Sequence, residues 1–100
     1  SYASASLGSA GFFSGSDYIS REEWRSYIEA LNIKKSFPGI SGIGYIADIK
    51  SSEVGSYQET IRKNENPSFT IHPATQNRPH YIITYIEPEE KNRVAIGLNI

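Results

Sequence analysis

Residues 19 to 24 read Ile-Ser-Arg-Glu-Glu-Trp, and no other stretch constrains the chain as strongly. A serine followed three positions later by glutamate is a capping box. The Ser20 hydroxyl accepts from the Glu23 amide, and the Glu23 carboxylate reaches back to the Ser20 amide. Ile19 before the cap and Trp24 at the fourth helical position have the spacing of a hydrophobic staple, which makes Trp24 a structural anchor. Trp24, Tyr27, Ile28 and Leu31 continue as one apolar stripe. Lys34 and Lys35 suit the negative end of a helix dipole, and Pro38-Gly39 closes the segment.

The remaining pattern alternates between short helices and strands. Ser1 to Phe13 is rich in Ala, Ser and Gly, and Ala3, Leu7, Ala10 and Gly11 share one face if the segment is helical. Ile40 to Ile49 has strand periodicity, and Gly42 and Gly44 imply a close backbone approach or a bulge. Ser51 or Ser52 is placed to cap a helix carrying Val54, Tyr57 and Ile61 on one side. Phe69 to Ile71 reads as a short strand. Tyr81 to Glu87 and Val94 to Ile100 read as an antiparallel hairpin around a polar turn at 88–92, with Arg93 across from Glu87 as its structural partner. Helices followed by such strands predict an α+β fold with N-terminal helices packed on a mainly antiparallel sheet.

Composition removes several functions. Ten Lys and Arg balance eleven Asp and Glu for a net charge of −1, so no basic field is available for nucleic acid. The absence of Cys excludes disulfides, thiolate metal sites and a Cys nucleophile. His72 and His80 lack metal-ligand spacing and read as loop histidines. Glu89 and Glu90 read as solvated turn residues, and Glu87 as a structural carboxylate. No Gly-x-Ser-x-Gly elbow follows a strand, and the glycines at 39–44 enter a strand instead of leading into a helix that could hold phosphate. No catalytic residue, metal site or cofactor is expected. Both ends read as cut from a longer chain, so any membrane anchor is expected outside this segment.

Several fragments fall in a distinctive order. They are Phe12-Phe13-Ser14-Gly15-Ser16, Arg21-Glu22-Glu23-Trp24, Phe37-Pro38-Gly39-Ile40-Ser41-Gly42-Ile43-Gly44-Tyr45, Phe69-Thr70-Ile71-His72-Pro73, Tyr81 through Pro88, and Ala95-Ile96-Gly97-Leu98-Asn99-Ile100. This series resembles the CHASE domain, an extracytoplasmic sensor module of membrane-bound histidine kinases, adenylate cyclases and diguanylate cyclases or phosphodiesterases, present also in plant cytokinin receptors. The resemblance implies a stalk helix and PAS-like subdomains. Residues 1–15 would end the stalk, and 16–100 would form the helices and first strands of the distal subdomain.

It also implies a pocket for a small molecule not yet identified. In the cytokinin-receptor branch the strand ending Leu-Asp-Met supplies a ligand-binding Asp, and the matching position here is Asn99. Asn offers a donor and an acceptor but no charge. Tyr81, Ile83 and Tyr85 on the preceding strand are the other candidate lining residues, and Gly44 is structural. The expected function is ligand sensing on the periplasmic or extracellular face, in a homodimer joined through the stalk helix. The alternative is a dimerisation or protein-interaction module with no small-molecule ligand. A hydrolase using Glu87 and a His is the least supported reading, because no nucleophile, base and oxyanion set can be assembled.

Overall fold

The computed structural model describes residues 2–6 and 10–15 as backbone, and residues 18–74 and 80–100 with their side chains. The elements are β1 (Tyr2–Ser6), β2 (Ala10–Gly15), α1 (Arg21–Leu31), α2 (Ile33–Ser36), β3 (Ile43–Ile49), α3 (Val54–Asn64), β4 (His80–Glu87) and α4 (Glu89–Asn92). Short 3₁₀ turns occupy Ser51–Glu53 and Arg93–Ala95. The sheet order is β1-β2-β3-β4, with β2 and β3 parallel and the other two pairs antiparallel. The fold is α+β, as the sequence pattern predicts.

The capping box forms as expected. Glu23 N donates to Ser20 Oγ at 3.0 Å, and Ser20 N donates to Glu23 Oε1 at 2.9 Å. These bonds hold the Glu23 carboxyl below its usual range, chiefly through the Ser20 amide. Trp24 is buried, and Ile19 packs against its cluster. The helix ends sooner than the lysines suggest. Asn32 turns left-handed at φ 48° and its N–H caps Glu29, so Lys34 and Lys35 fall on α2.

The N-terminal segment departs from expectation. Tyr2–Ser6 and Ala10–Gly15 are strands, not the end of a stalk helix. The helical face Ala3, Leu7, Ala10, Gly11 competes against Gly8 and Gly11, each costing about 1 kcal/mol in a helix relative to Ala. Residues 11–15 instead supply backbone partners to Ile43–Ala47, which would otherwise leave β3 as an open edge.

Val94 to Ile100 is likewise not a full strand. Residues 89–95 form α4 and a 3₁₀ turn, and only Leu98 and Asn99 make β-bridges. The tail still runs along β4: Gly97 N donates to Ile83 O, Ile83 N to Leu98 O, and Ile100 N to Tyr81 O. On its other side His72 N donates to Gly97 O, and Asn99 N to His72 O. His72 contributes only a single bridge, to Leu98, and Phe69 to Ile71 lie outside the strands.

One face of β3 and β4 carries the core. Trp24, Tyr45, Ala47 and Tyr85 form one cluster, with the Trp24 and Tyr45 rings 5.7 Å apart and Tyr45 stacked on Tyr85 at 5.9 Å. Ile61, Phe69, Ile71 and Ile82 form a second. Tyr57 and Ile49 pack against both. The expected inward side of α3 is therefore seen, although its N-cap is Glu53 and makes no side-chain capping bond.

Gly97 has φ +90°, and a Cβ there would lie 1.9 Å from the Thr70 carbonyl oxygen. Gly97→Ala is expected to destabilise the fold by at least about 2 kcal/mol, from left-handed strain plus displaced backbone. Urea denaturation measures it, and a change under about 0.5 kcal/mol, typical of a neutral surface substitution, would contradict the close approach.

Candidate functional site

Strand β4 carries most of the sequence-predicted site residues, and a bulge sorts them. Tyr45 pairs with Tyr85 while Ile46 pairs with Ile83, so Thr84 has no counterpart on β3. Before the bulge His80 and Ile82 pair with Ile49 and Ala47 on the core face. After it Tyr85 and Glu87 take that face, opposite Tyr45 and Ile43. Tyr81 and Ile83 lie on the other face with Asp48 and Ile46. The three candidate lining residues thus do not share a face. Tyr81 is 43% exposed, whereas Ile83 and Tyr85 are buried.

The Tyr85 hydroxyl donates to Ile19 O at 2.7 Å, tying β4 to the start of α1. Thr84 Oγ1 meets the Tyr57 hydroxyl at 2.7 Å. Burial pushes the Tyr57 and Tyr85 hydroxyls well above the usual tyrosine range. Both phenols are engaged in holding helices to the sheet.

Asn99 pairs in backbone register with Ile82 and is buried. Its Nδ2 donates to His80 Nδ1 at 2.6 Å, so that ring nitrogen is an acceptor. Asn99 Oδ1 is buried and has no hydrogen-bond partner. The expectation of two loop histidines therefore holds only for exposed His72. His80 opens β4 and is 98% covered, at 2% exposure. Its signal was the run of β-forming residues beginning at position 81, which extends one residue further back.

Glu87 does not take Arg93 as its partner. It meets Arg25 Nε at 3.4 Å, and Arg93 begins the 3₁₀ turn. Arg21 grips both oxygens of Glu89 and also donates to Glu65 O at 3.0 Å. Glu65 receives the Arg21 amide and the Tyr18 hydroxyl. This network joins the start of α1 to the end of α3 and to α4. Glu89, expected to be a free turn residue, is its centre. Gly44 sits in mid-β3 between Phe12 and Ile86.

A groove of about 750 Å³ lies at the far end of the core face. Its walls are the C-terminal half of α1, α2, the 38–43 segment entering β3, and the passage from β4 into α4. Asn92 fixes this loop by donating to Ser41 O at 3.2 Å and Pro88 O at 2.8 Å. A Cβ on Gly42 would lie 2.7 Å from Asn92 Nδ2, so that side chain would have to shift to admit one.

The α+β arrangement packs Trp24 of α1 and Ile61 of α3 against β3 and β4. The CHASE domain family model matches residues 17–100, and the chain belongs to that family. It is a family of sensor domains, generally extracytoplasmic, and not catalytic. Comparison with curated proteins gives no match. No helix among the described residues is long and apolar enough to cross a membrane.

Two outcomes follow from this geometry. Asn99→Ala leaves His80 Nδ1 buried without its donor and is expected to cost about 1–3 kcal/mol in denaturant unfolding. Tyr18 is raised from 10.0 to about 12 by partial burial and then by Glu65. Between those values the folded state keeps a proton that the unfolded state releases. Stability is therefore intact below about pH 10 and falls as pH rises toward 12. Alkaline unfolding of Tyr18→Phe, which has no such proton, should show a shallower loss over that window.

Proposed function

We propose that this chain is the ligand-sensing part of a membrane-bound receptor, with a PAS-like sheet on the periplasmic or extracellular side. Binding of a small molecule is passed to a cytoplasmic histidine kinase or nucleotide cyclase. The receptor works as a homodimer anchored in the membrane outside these residues. Family membership supports the sensory role. The observation that carries ligand binding is Asn99, whose buried Oδ1 has no partner beside His80. A buried unpaired acceptor is costly, and a donor on a ligand relieves that cost. Tyr81 lies exposed at the same end of β4, with Ile83 and Tyr85 further along the strand. A ligand biases a receptor only through different affinities for its two states. Here that difference lies in whether Asn99 is satisfied.

The test is a thermal-shift screen of the full-length protein against adenine derivatives, amino acids and carboxylic acids. A ligand at 100 times its dissociation constant stabilises the state it binds by about 2.7 kcal/mol. A hit abolished in Asn99→Ala is the expected result, and a hit of undiminished affinity in that variant would overturn this site. A screen without hits favours the second reading, a dimerisation or protein-interaction module. One observation supports that reading: Tyr27 and Leu31, four residues apart on α1, are 42% and 43% exposed.

A further inference from the structure

The groove between α1, α2, the entry to β3 and α4 is separate from Asn99. Ile43 and Glu87 sit at one end of the β3–β4 pair, and His80 sits at the other. Along β4 that is roughly 20 Å at about 3.3 Å per residue. The groove's volume of about 750 Å³ falls in the range of small-molecule sites.

Its floor is aliphatic, with Ile28, Ile40 and Ile43 among the lining residues. Two bases, Lys34 and Lys91, and two acids, Glu29 and Glu87, also line it. A ligand of single charge would gain from one pair and be repelled by the other. A molecule carrying both charges satisfies both pairs, and an aliphatic tail matches the floor. The site is also held in shape before any ligand arrives. Asn92 fixes the Ser41–Gly42 wall, and Arg25 holds Glu87, whose side chain is 18% exposed. Such preorganisation lowers the entropy lost on binding.

We infer that this groove binds a small zwitterion with an apolar side chain, an aliphatic α-amino acid. The ammonium group lies toward Glu87 and Glu29, and the carboxylate toward Lys34 and Lys91. This site is additional to the one proposed at Asn99.

Isothermal titration of the full-length protein with L-leucine tests it, alongside 4-methylpentanoate and 3-methylbutylamine, which each keep the tail and one charge. L-leucine should bind saturably at about millimolar affinity or tighter, and each analogue should bind at least about tenfold more weakly. Lys34→Gln combined with Lys91→Gln replaces two exposed side chains. The pair should weaken L-leucine about tenfold and leave 3-methylbutylamine no weaker. The inference is overturned if L-leucine does not bind, if either analogue binds equally well, or if the lysine variant binds L-leucine like the parent.

Discussion

The extra residue at Thr84 has no counterpart on β3, and each β4 residue after it faces the side opposite to the one simple alternation assigns. Two consequences spread through the molecule. Tyr85 reaches the core face, where it stacks on Tyr45 and bonds the chain just before α1. Ile82 stays on the same face and joins the α3 cluster. Without the bulge, one of the two helices would lose its aromatic or aliphatic anchor. The cost of the irregularity is offset locally, since Thr84 Oγ1 bonds Tyr57. Bulges of this kind re-aim side chains without breaking a sheet.

Around that core, charged groups fix the helices at their ends. Single exposed ion pairs contribute at most about 1 kcal/mol. Arg21, Arg25, Glu65, Glu87 and Glu89 form a connected set instead. Arg21 bonds Glu89 through both oxygens, the geometry that gives guanidinium–carboxylate pairs direction as well as strength. The set spans α1, α3 and α4, so a shift of α4 at the groove wall pulls on the start of α1. The set also reaches the groove itself, because Glu87 is one of its lining residues.

Much of this was legible in the chain. The capping box, the staple and the anchor role of Trp24 follow from six residues, because their bonds are local. The α+β class and the CHASE resemblance were also readable, the latter from ordered fragments. The N-terminal strands were not, since a small-residue segment has weak preferences and takes the pairing that β3 offers. Nor was the division of Tyr81 and Ile83 from Tyr85, because nothing in an unbroken run of β-forming residues marks which one is bulged. Arg25 and Glu89 were missed as partners for the same kind of reason. Their sequence separation exceeds anything a local pattern encodes, whereas Arg93 and Glu87 looked close. Asn99 was singled out by resemblance, and its burial against His80 adds a physical reason for attention.

Gly97 sets a zero point for the last segment of the chain. Only a residue without a side chain passes the Thr70 carbonyl, so the segment cannot slide by one position along β4 without driving Ile96 or Leu98 into that oxygen. Length changes upstream, in α4 or the 3₁₀ turn at Arg93–Ala95, must then be taken up where they occur. They are not passed on as a rotation of Asn99. Relatives of this chain can therefore vary the α4 segment, and with it the groove wall, while keeping the amide beside His80 in the same orientation.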